Sequence, residues 1–356
     1  VTPGSWTDAD GDQVPIRTGR HEEHIVADVA WAARHYGRWT GDEALLAGPG
    51  RELILETARY WASRISIDDG GEAHILDVIG PDEYHQLVDD NAFTNVMARA
   101  NLRWAADLGR VHGGAGPEEM GAWSHLADTL VDGYDPQTRV YEQFAGYWRL
   151  EPMLIEQLAP PPIAADLLLG PERVAGTQLI KQADVLMLHN LVPEEVPADS
   201  LCPNLDYYLP RTAQGSSLSP AVHASLLARC GRTAEALKWF RLTGRLDLDD
   251  LTGTTAGGIH LAAMGGLWQA LTFGFLGVGV VDPEGIRLDP HLPDEWSSVT
   301  QHLLVFGSRI RLAVSHDLVE VESERPLLIR CGKARSSSPA ARARFAWSDA
   351  TWKEVK

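Results

Sequence analysis

The chain has 356 residues, 44% hydrophobic and 22% charged, a composition typical of a globular protein. Its 49 acidic and 31 basic residues give a formal net charge of −18, which excludes nucleic acid and anionic membrane surfaces as expected partners. No apolar run reaches the roughly 18 residues of a membrane-spanning helix. Three scattered cysteines predict reduced, buried thiols in a cytoplasmic protein rather than a disulfide framework or a zinc site.

The first residues, Val1 to Trp6, contain neither a starting methionine nor a signal peptide, and they predict a piece of a longer chain. Helix then follows helix over three quarters of the sequence. Ile25, Val29 and Tyr36 recur at helical spacing, and Gly41 follows as a stop signal. Further helices are predicted over about 53–65, 92–108, from 117 onward, 177–191, 219–231, 233–243 and 258–274.

The connections between these helices are alternately short and long. In a ring of paired antiparallel helices, the long connections collect at one end and build a site there. From about Asp282 the helical period gives way to short β-type runs separated by turn signals. The pattern therefore predicts an all-α domain over 1–280 and a small β-sheet domain over 281–356, in which the stretch Ala334–Ala341 is a loop.

The strongest chemical signal is the run Gly80-Pro81-Asp82-Glu83-Tyr84-His85. A carboxyl group held among an aromatic ring, an imidazole and apolar neighbours can have a raised pKa, and it can then protonate a departing glycosidic oxygen. From the residues alone, an acidic turn that caps the next helix is the competing interpretation.

This run, continued by Asn91-Ala92-Phe93-Thr94-Asn95, resembles the segment that carries the general acid in glycoside hydrolase family 65. That family contains maltose, trehalose, kojibiose and nigerose phosphorylases and a few hydrolases. The resemblance extends over nearly the whole chain. Its other segments are Gln143-Phe144, Lys181 to Val185, Gly215 to Pro220, Gly258-Ile259-His260 and Pro290 to Pro293.

The resemblance implies a mainly α fold, an (α/α)6 barrel that is incomplete at its N-terminal side, followed by a small C-terminal β-sheet domain. It makes Glu83 the general acid. The residues expected to bind the sugar are Lys181, Gln182, Asp82 and His85. The residues expected to bind phosphate are Gly215, Ser216, Ser217, His260 and Gln214.

The stretch from Gly215 to Ser219 is rich in serine, and its backbone N–H groups and hydroxyls suit a tetrahedral oxyanion. His260 could add a charge-assisted hydrogen bond. A helix N-cap at Ser217 or Ser219 is the competing interpretation of the loop. Phosphorylases of this family commonly have a histidine where this chain has Gln214, so phosphate binding is expected to be weaker or to depend on His260.

An inverting hydrolase needs a second carboxylate to activate water, whereas a phosphorylase needs only the acid. The loop 212–219 contains no carboxylate. We therefore expect a glycoside phosphorylase, a hexosyltransferase, that converts an α-glucosidic disaccharide of the trehalose, kojibiose, maltose or nigerose type to β-glucose 1-phosphate and glucose. Glu142 and Asp206 are the candidate bases if the enzyme is instead an inverting α-glucosidase.

Other readings of the sequence stay open. A carbohydrate-binding fragment without turnover is the non-enzyme alternative to the phosphorylase. An α/α-toroid enzyme with different chemistry is a further alternative. The segment His21-Glu22-Glu23-His24 lacks H-E-x-x-H spacing, so we expect a helix start with a carboxylate or imidazole near the sugar, and no metal. Inorganic phosphate is the expected co-substrate, no cofactor is expected, and the resemblance points to a homodimer.

Overall fold

The computed structural model describes residues 5–7, 13–159, 163–281, 285–336 and 338–355. The chain divides into two compact units, Val1–Arg34 with Leu46–Ser216, and His35–Leu45 with Ser217–Lys356. The predicted domain boundary at residue 280 remains a prediction, and Asp282, where the sequence pattern changes, lies outside the described residues.

Helices dominate the chain up to about residue 275. They are α1 (Thr18–His21), α2 (Ile25–Thr40), α3 (Glu43–Ala47), α4 (Pro49–Arg64), α5 (Ala92–His112), α6 (Pro117–Thr129), α7 (Ala165–Leu169), α8 (Pro171–Ala175), α9 (Val185–Leu191), α10 (Leu201–Tyr208), α11 (Ser219–Arg229), α12 (Thr233–Arg245) and α13 (Leu261–Gln269), which continues as a π-helical turn (Ala270–Phe275).

Helix α5 is the element that follows the acidic loop. Its N-cap is Asn91, whose side-chain oxygen accepts a 2.9 Å hydrogen bond from Thr94 N. It ends at Gly113, whose φ of 73° is a left-handed conformation that glycine adopts without strain. The predicted helix over 92–108 is confirmed, and its defined start fixes where the loop before it must end.

The helix predicted over 177–191 is wrong in its first half, because α9 begins only at Val185. Residues 177–184 form a non-helical segment of bends, in which isolated β-bridges pair Thr177 and Ile180 with other segments. Ile180 N donates to Arg211 O at 3.0 Å, and Ala213 N donates to Ile180 O at 2.8 Å. Lys181 and Gln182 therefore lie at bends of the segment 177–184 rather than at a helix start.

Short two-stranded hairpins interrupt the helices of the first unit. They pair β1 (Ser5–Thr7) with β2 (Gln13–Pro15), β3 (Ser66–Ile67) with β4 (Ala73–His74), and β5 (Tyr134–Asp135) with β6 (Val140–Tyr141).

The second unit contains a larger sheet. Its strands are β7 (Gly279–Val281), β8 (Gly285–Leu288), β9 (Ser298–Val305), β10 (Ser308–Ser315), β11 (Leu318–Cys331), β12 (Ala334–Arg335), β13 (Ala340–Ser348) and β14 (Thr351–Val355). The order β14-β13-β11-β10-β9 is antiparallel, and β8 pairs in parallel with β11. Ile310, Leu312 and Val314 point into its core at the two-residue period of a half-buried strand.

The predicted β-sheet region is thus confirmed, but the loop predicted over Ala334–Ala341 is wrong at both ends. β12 and β13 occupy those positions, while Ser337 lies outside the described residues. Strand β13 buries Ala343 and Phe345 against the core and exposes the alternating arginines. The exposed arginines make the strand hard to recognise in the sequence. In the structure Arg344 forms a cross-strand ion pair with Glu320 at 3.0 Å.

The cysteines differ from expectation. Cys331 is a free, buried thiol, whereas Cys202 and Cys230 are disulfide-bonded. The expectation of three reduced thiols is therefore wrong for two of them, because spacing along the chain carries no information on thiol geometry. The cytoplasmic location stays a prediction. Within the described ranges, none of the helices has the length and apolar character needed to cross a bilayer.

Candidate active site

Three of the predicted residues meet at the acidic loop of the first unit. Glu83 Oε1 lies 2.9 Å from Lys181 Nζ and accepts a 2.7 Å hydrogen bond from Gln182 Nε2. The side chains of Glu83 and Lys181 are each 33% exposed, so this cluster faces solvent. A partly exposed carboxyl held by a cation and an amide is a group that an incoming sugar could reach.

Asp82, the neighbour of Glu83, points the opposite way and is buried. Its Oδ1 accepts a 2.7 Å hydrogen bond from Lys181 N, and its Oδ2 accepts a 3.0 Å bond from Gln143 Nε2. Oδ2 also lies 2.6 Å from His85 Nδ1. One buried carboxylate therefore joins three segments that are far apart in sequence.

His85 is buried and bonded on both sides of its ring. Its Nε2 lies 2.9 Å from Thr177 O, which only accepts, so Nε2 carries a proton. Burial alone would lower the pKa of His85, but the Asp82 carboxylate and the Thr177 carbonyl raise it above its ordinary value. A sugar could contact Asp82 or His85 only if the hydrogen bonds of these two side chains broke. The sugar contacts predicted for both residues stay predictions.

Asp184 lies beneath the same loop and is completely buried. Its Oδ2 accepts hydrogen bonds from Asn91 Nδ2 and Gln143 Nε2, both at 3.2 Å, and from Asp82 N at 3.4 Å. Burial, followed by the charge of Asp82, raises the pKa of Asp184 to about 6. Its Oδ1 has no hydrogen-bond partner among the residues described.

A second carboxylate, Glu22, lies within electrostatic reach of the acid. Burial raises its pKa, His24 opposes this, Glu83 raises the pKa further, and Lys181 lowers it. His24 in turn bonds Asp28 at 2.7 Å through Nδ1. The H-E-E-H segment thus brings a carboxylate within electrostatic reach of the predicted acid. The expected position of a carboxylate or imidazole near the sugar stays a prediction.

The serine loop approaches this cluster from another segment. Ser216 Oγ donates a 3.3 Å hydrogen bond to Gln182 Oε1, so a chain of contacts runs from the loop through Gln182 to Glu83. Gln214 is buried and has a φ of 62°, an uncommon conformation for a residue other than glycine. Gly215 has no room for a side chain, since a Cβ there would overlap the carbonyl oxygen of Ile163.

Ser217 and His260, also predicted to bind phosphate, belong to the second unit. There His260 precedes α13, and Asp247 holds it twice. Asp247 Oδ1 lies 2.7 Å from His260 Nδ1, and Oδ2 accepts a 2.9 Å bond from His260 N. The His260 hydrogen bond lowers the pKa of Asp247. The carboxylate fixes the ring so that Nε2 is the nitrogen directed away from it.

Comparison with known proteins now identifies the family. Residues 6–269 match the glycosyl hydrolase family 65 central catalytic domain, and residues 281–335 match the family 65 C-terminal domain. The chain belongs to glycoside hydrolase family 65. This confirms the resemblance on which the site residues were chosen.

Several curated relatives are phosphorylases by name. A kojibiose phosphorylase of Caldanaerobacter subterraneus subsp. tengcongensis is 35% identical, over 90% of this chain and 44% of its own length. An α,α-trehalose phosphorylase of Thermoanaerobacter brockii is 33% identical, over 88% of this chain and 43% of its own. The chain thus spans less than half the length of these relatives.

A solved structure of a putative kojibiose phosphorylase from the human microbiome superposes with a TM-score of 0.81 at 24% identity. The superposition covers 91% of this chain and 49% of the solved one. It confirms the fold class, helices of the (α/α)6 type followed by a β-sheet domain.

Several residues that contact the acidic loop or lie beneath it were not proposed as site residues from the sequence. Asp184 and Gln143 lie within segments that resemble the family, and Thr177 lies outside them, but only the contacts of these residues connect them to the loop. Glu22 belongs to the segment His21 to His24, which was expected to be a helix start with a carboxylate or imidazole near the sugar, but Glu22 itself was not singled out. The signal that could have found Asp184 is its position inside the run Lys181 to Val185.

One group in the described parts of the chain places three possible metal ligands close together, namely Asp68, Glu72 and His74. It lies on the exposed β3–β4 hairpin. His74 Nδ1 is already bonded to Asp90 at 2.7 Å, and Asp68 accepts bonds from the Gly70 and Glu72 backbone. These contacts explain the cluster as a turn, and we assign it no metal.

Substitution of Gly215 by alanine tests the close approach of the serine loop. The added Cβ would displace the backbone near Ile163, and we expect a loss of about 1–3 kcal/mol in unfolding free energy, the usual cost of overpacking. Urea denaturation measures it. Gly121→Ala is the control, because a Cβ at Gly121 meets nothing within 4 Å. An equal effect in both variants would contradict the steric explanation.

Proposed function

We propose that this family 65 chain carries out inverting phosphorolysis of an α-glucosidic disaccharide, which yields β-glucose 1-phosphate and glucose. The observation that carries the proposal is the position of Glu83, partly exposed and bonded to Lys181 and Gln182. The loop 212–219, whose Ser216 reaches Gln182, contains no carboxylate that could activate water. The phosphorylase names of the curated relatives support the same reaction.

In this mechanism the protonated Glu83 gives its proton to the glycosidic oxygen as the bond to C1 breaks. A phosphate oxygen attacks C1 from the opposite face, so the configuration inverts and the free sugar leaves with the proton. In the structure Lys181 is paired with Glu83. A glucosyl hydroxyl that accepts a hydrogen bond from the Lys181 ammonium would weaken this pair.

We propose that phosphate binds at the serine loop. Backbone N–H groups and the hydroxyl at Gly215 and Ser216 suit its oxygens. Ser217 and His260, a charge-assisted donor, remain further predicted contacts of phosphate. The side chain of Gln214 is buried. We therefore propose that Gln214 contributes to phosphate binding through its backbone rather than through its side chain. We propose no further cofactor, and a homodimer stays a prediction.

Inverting hydrolysis is the second candidate, and one observation favours it. Glu22 is a second carboxylate whose pKa is affected by Glu83. The bases suggested by the sequence have other surroundings: Glu142 Oε1 accepts bonds from Gly146 N and Trp148 N at 3.1 Å, and Asp206 is exposed on α10. Glu22 is therefore the first carboxylate to substitute if hydrolysis is found.

The test is an assay of the protein that carries this chain on kojibiose, trehalose, maltose and nigerose, each with and without inorganic phosphate. We expect β-glucose 1-phosphate to form only when phosphate is present, from at least one sugar. Glucose released at the same rate without phosphate would replace the proposal by hydrolysis. Binding of a sugar without any turnover would support the carbohydrate-binding alternative.

A further inference from the structure

Glu83 and Asp82 are neighbouring carboxylates that hold the same residue at its two ends. Glu83 contacts the ammonium of Lys181, and Asp82 accepts from its backbone N–H. We propose that Asp82, with His85 as a protonated partner, is a positioning residue that sets the distance between Glu83 and the Lys181–Gln182 pair. This inference rests on the proposed role of Glu83 as general acid.

The acidic loop and the segment 177–184 are held together at two points. Asp82 Oδ1 accepts from Lys181 N at 2.7 Å, and His85 Nε2 bonds Thr177 O at 2.9 Å. These two hydrogen bonds lie four residues apart on the segment, so it can neither slide nor tilt relative to the loop without breaking one of them. A third tie, from Gln143 to Asp82 Oδ2, fixes the carboxylate itself.

The geometry around His85 fits a doubly protonated ring. Nε2 faces a carbonyl oxygen and Nδ1 faces a carboxyl oxygen at 2.6 Å. The other groups near the ring are the aromatic faces of Phe144 and Tyr147 and the buried Asp184. An imidazolium at this position would balance buried carboxylate charge directly below the acidic loop.

The hydrogen bonds of Asp82 and His85 are shielded from water because both side chains are buried. The side chain of Asp82 is 0% exposed and that of His85 is 3% exposed, so water does not compete for their hydrogen bonds. Loss of the Asp82 acceptor would leave the Lys181 N–H without its partner. The segment 177–184 would relax, and the distance from Glu83 to Lys181 Nζ would no longer be fixed.

The first experiment uses Asp82→Asn in the whole protein. The amide oxygen can still accept from Lys181 N, but the NH₂ group then faces His85 Nδ1, and the contact requires a neutral ring. We expect kcat to fall about 10²-fold at pH 5.5, the cost of a small misplacement, and to recover partly at pH 8. The KM for phosphate stays unchanged. If Asp82→Asn kept the kcat and the pH profile of the wild type, the inference would be overturned.

Asp90→Asn is the matched control. Asp90 is also buried, its Oδ2 also bonds a histidine Nδ1 at 2.7 Å, and its Oδ1 also accepts from a backbone N–H, that of Ile75. It contacts neither Glu83 nor Lys181 in any bond of the described structure. We expect it to lower the melting temperature without lowering kcat. An equal loss of kcat in both variants would reduce Asp82 to a structural role.

A second readout does not depend on turnover. In Asp82→Ala the Lys181 N–H loses its acceptor, so amide exchange over 177–182 is expected to accelerate at least tenfold, and Asp90→Ala leaves it unchanged. Unchanged exchange in Asp82→Ala would overturn the inference. If the wild-type protein turns over none of the sugars, the proposed function fails, while this exchange still decides whether Asp82 positions the segment.

Discussion

Replacement of Glu83 by glutamine is expected to lower kcat for disaccharide phosphorolysis by about 10³-fold, within the range that general acids contribute. Glutamine is isosteric, and its oxygen still accepts from Lys181 and Gln182, so the site keeps its shape. It has no proton to transfer to the leaving oxygen. The loss therefore falls on kcat rather than on the KM for either substrate.

The leaving group separates acid catalysis from other causes. An aryl α-glucoside with an acidic phenol needs no protonation as it departs, so its phosphorolysis is expected to fall less than tenfold in Glu83→Gln. Glu142→Gln is the matched control, because Glu142 supports the turn at Gly146 and is expected to keep wild-type kcat on both substrates. An equal loss on both substrates in Glu83→Gln would contradict the role of general acid.

Local patterns in the sequence located the elements that are regular along the chain. Helices α5 and α11 begin at their predicted starts, because periodicity and capping residues are local properties. The non-helical segment 177–184 falls within a predicted helix, because its structure is decided by backbone partners at Glu151, Arg211 and Ala213. No local pattern encodes such partners.

The candidate site shows the same division. Resemblance to the family proposed Glu83, Lys181 and Gln182, and the structure brings them within hydrogen-bond distance of one another. Asp82 was expected to bind the sugar, and its contact with Asp184 was not predicted, because the two residues are about 100 positions apart and each looks like an ordinary acidic residue. Burial, which the sequence does not show, converts them into members of one network.

Asp184→Asn is expected to stabilise the protein above neutral pH. The pKa of Asp184 is raised to about 6 in the folded state, from an ordinary value near 3.8, so the folded state binds this proton more tightly. Stability therefore falls as pH rises from 4 to 6, and the full cost, about 3 kcal/mol, is present above pH 6. Asparagine keeps the acceptor used by Asn91 and Gln143 and removes the buried charge.

Urea denaturation at pH 4 and pH 8 measures this difference. The variant should match the wild type at pH 4 and exceed it by about 2–3 kcal/mol at pH 8. Asp90→Asn is expected to change the unfolding free energy in the opposite direction, as a loss of stability. The hydrogen bond to Asp90 raises the pKa of His74, a contribution that is present at low pH and lost as pH rises, so that variant is weakest at low pH.

The outcome also bears on why a carboxylate occupies this position. A residue that destabilises the fold at neutral pH is retained most readily where activity depends on it. Asp184 accepts from Asp82 N and so contacts the loop that holds Glu83. A variant that gains stability at pH 8 and loses kcat would show that the buried charge serves the acidic loop. A variant that gains no stability would contradict the raised pKa of Asp184.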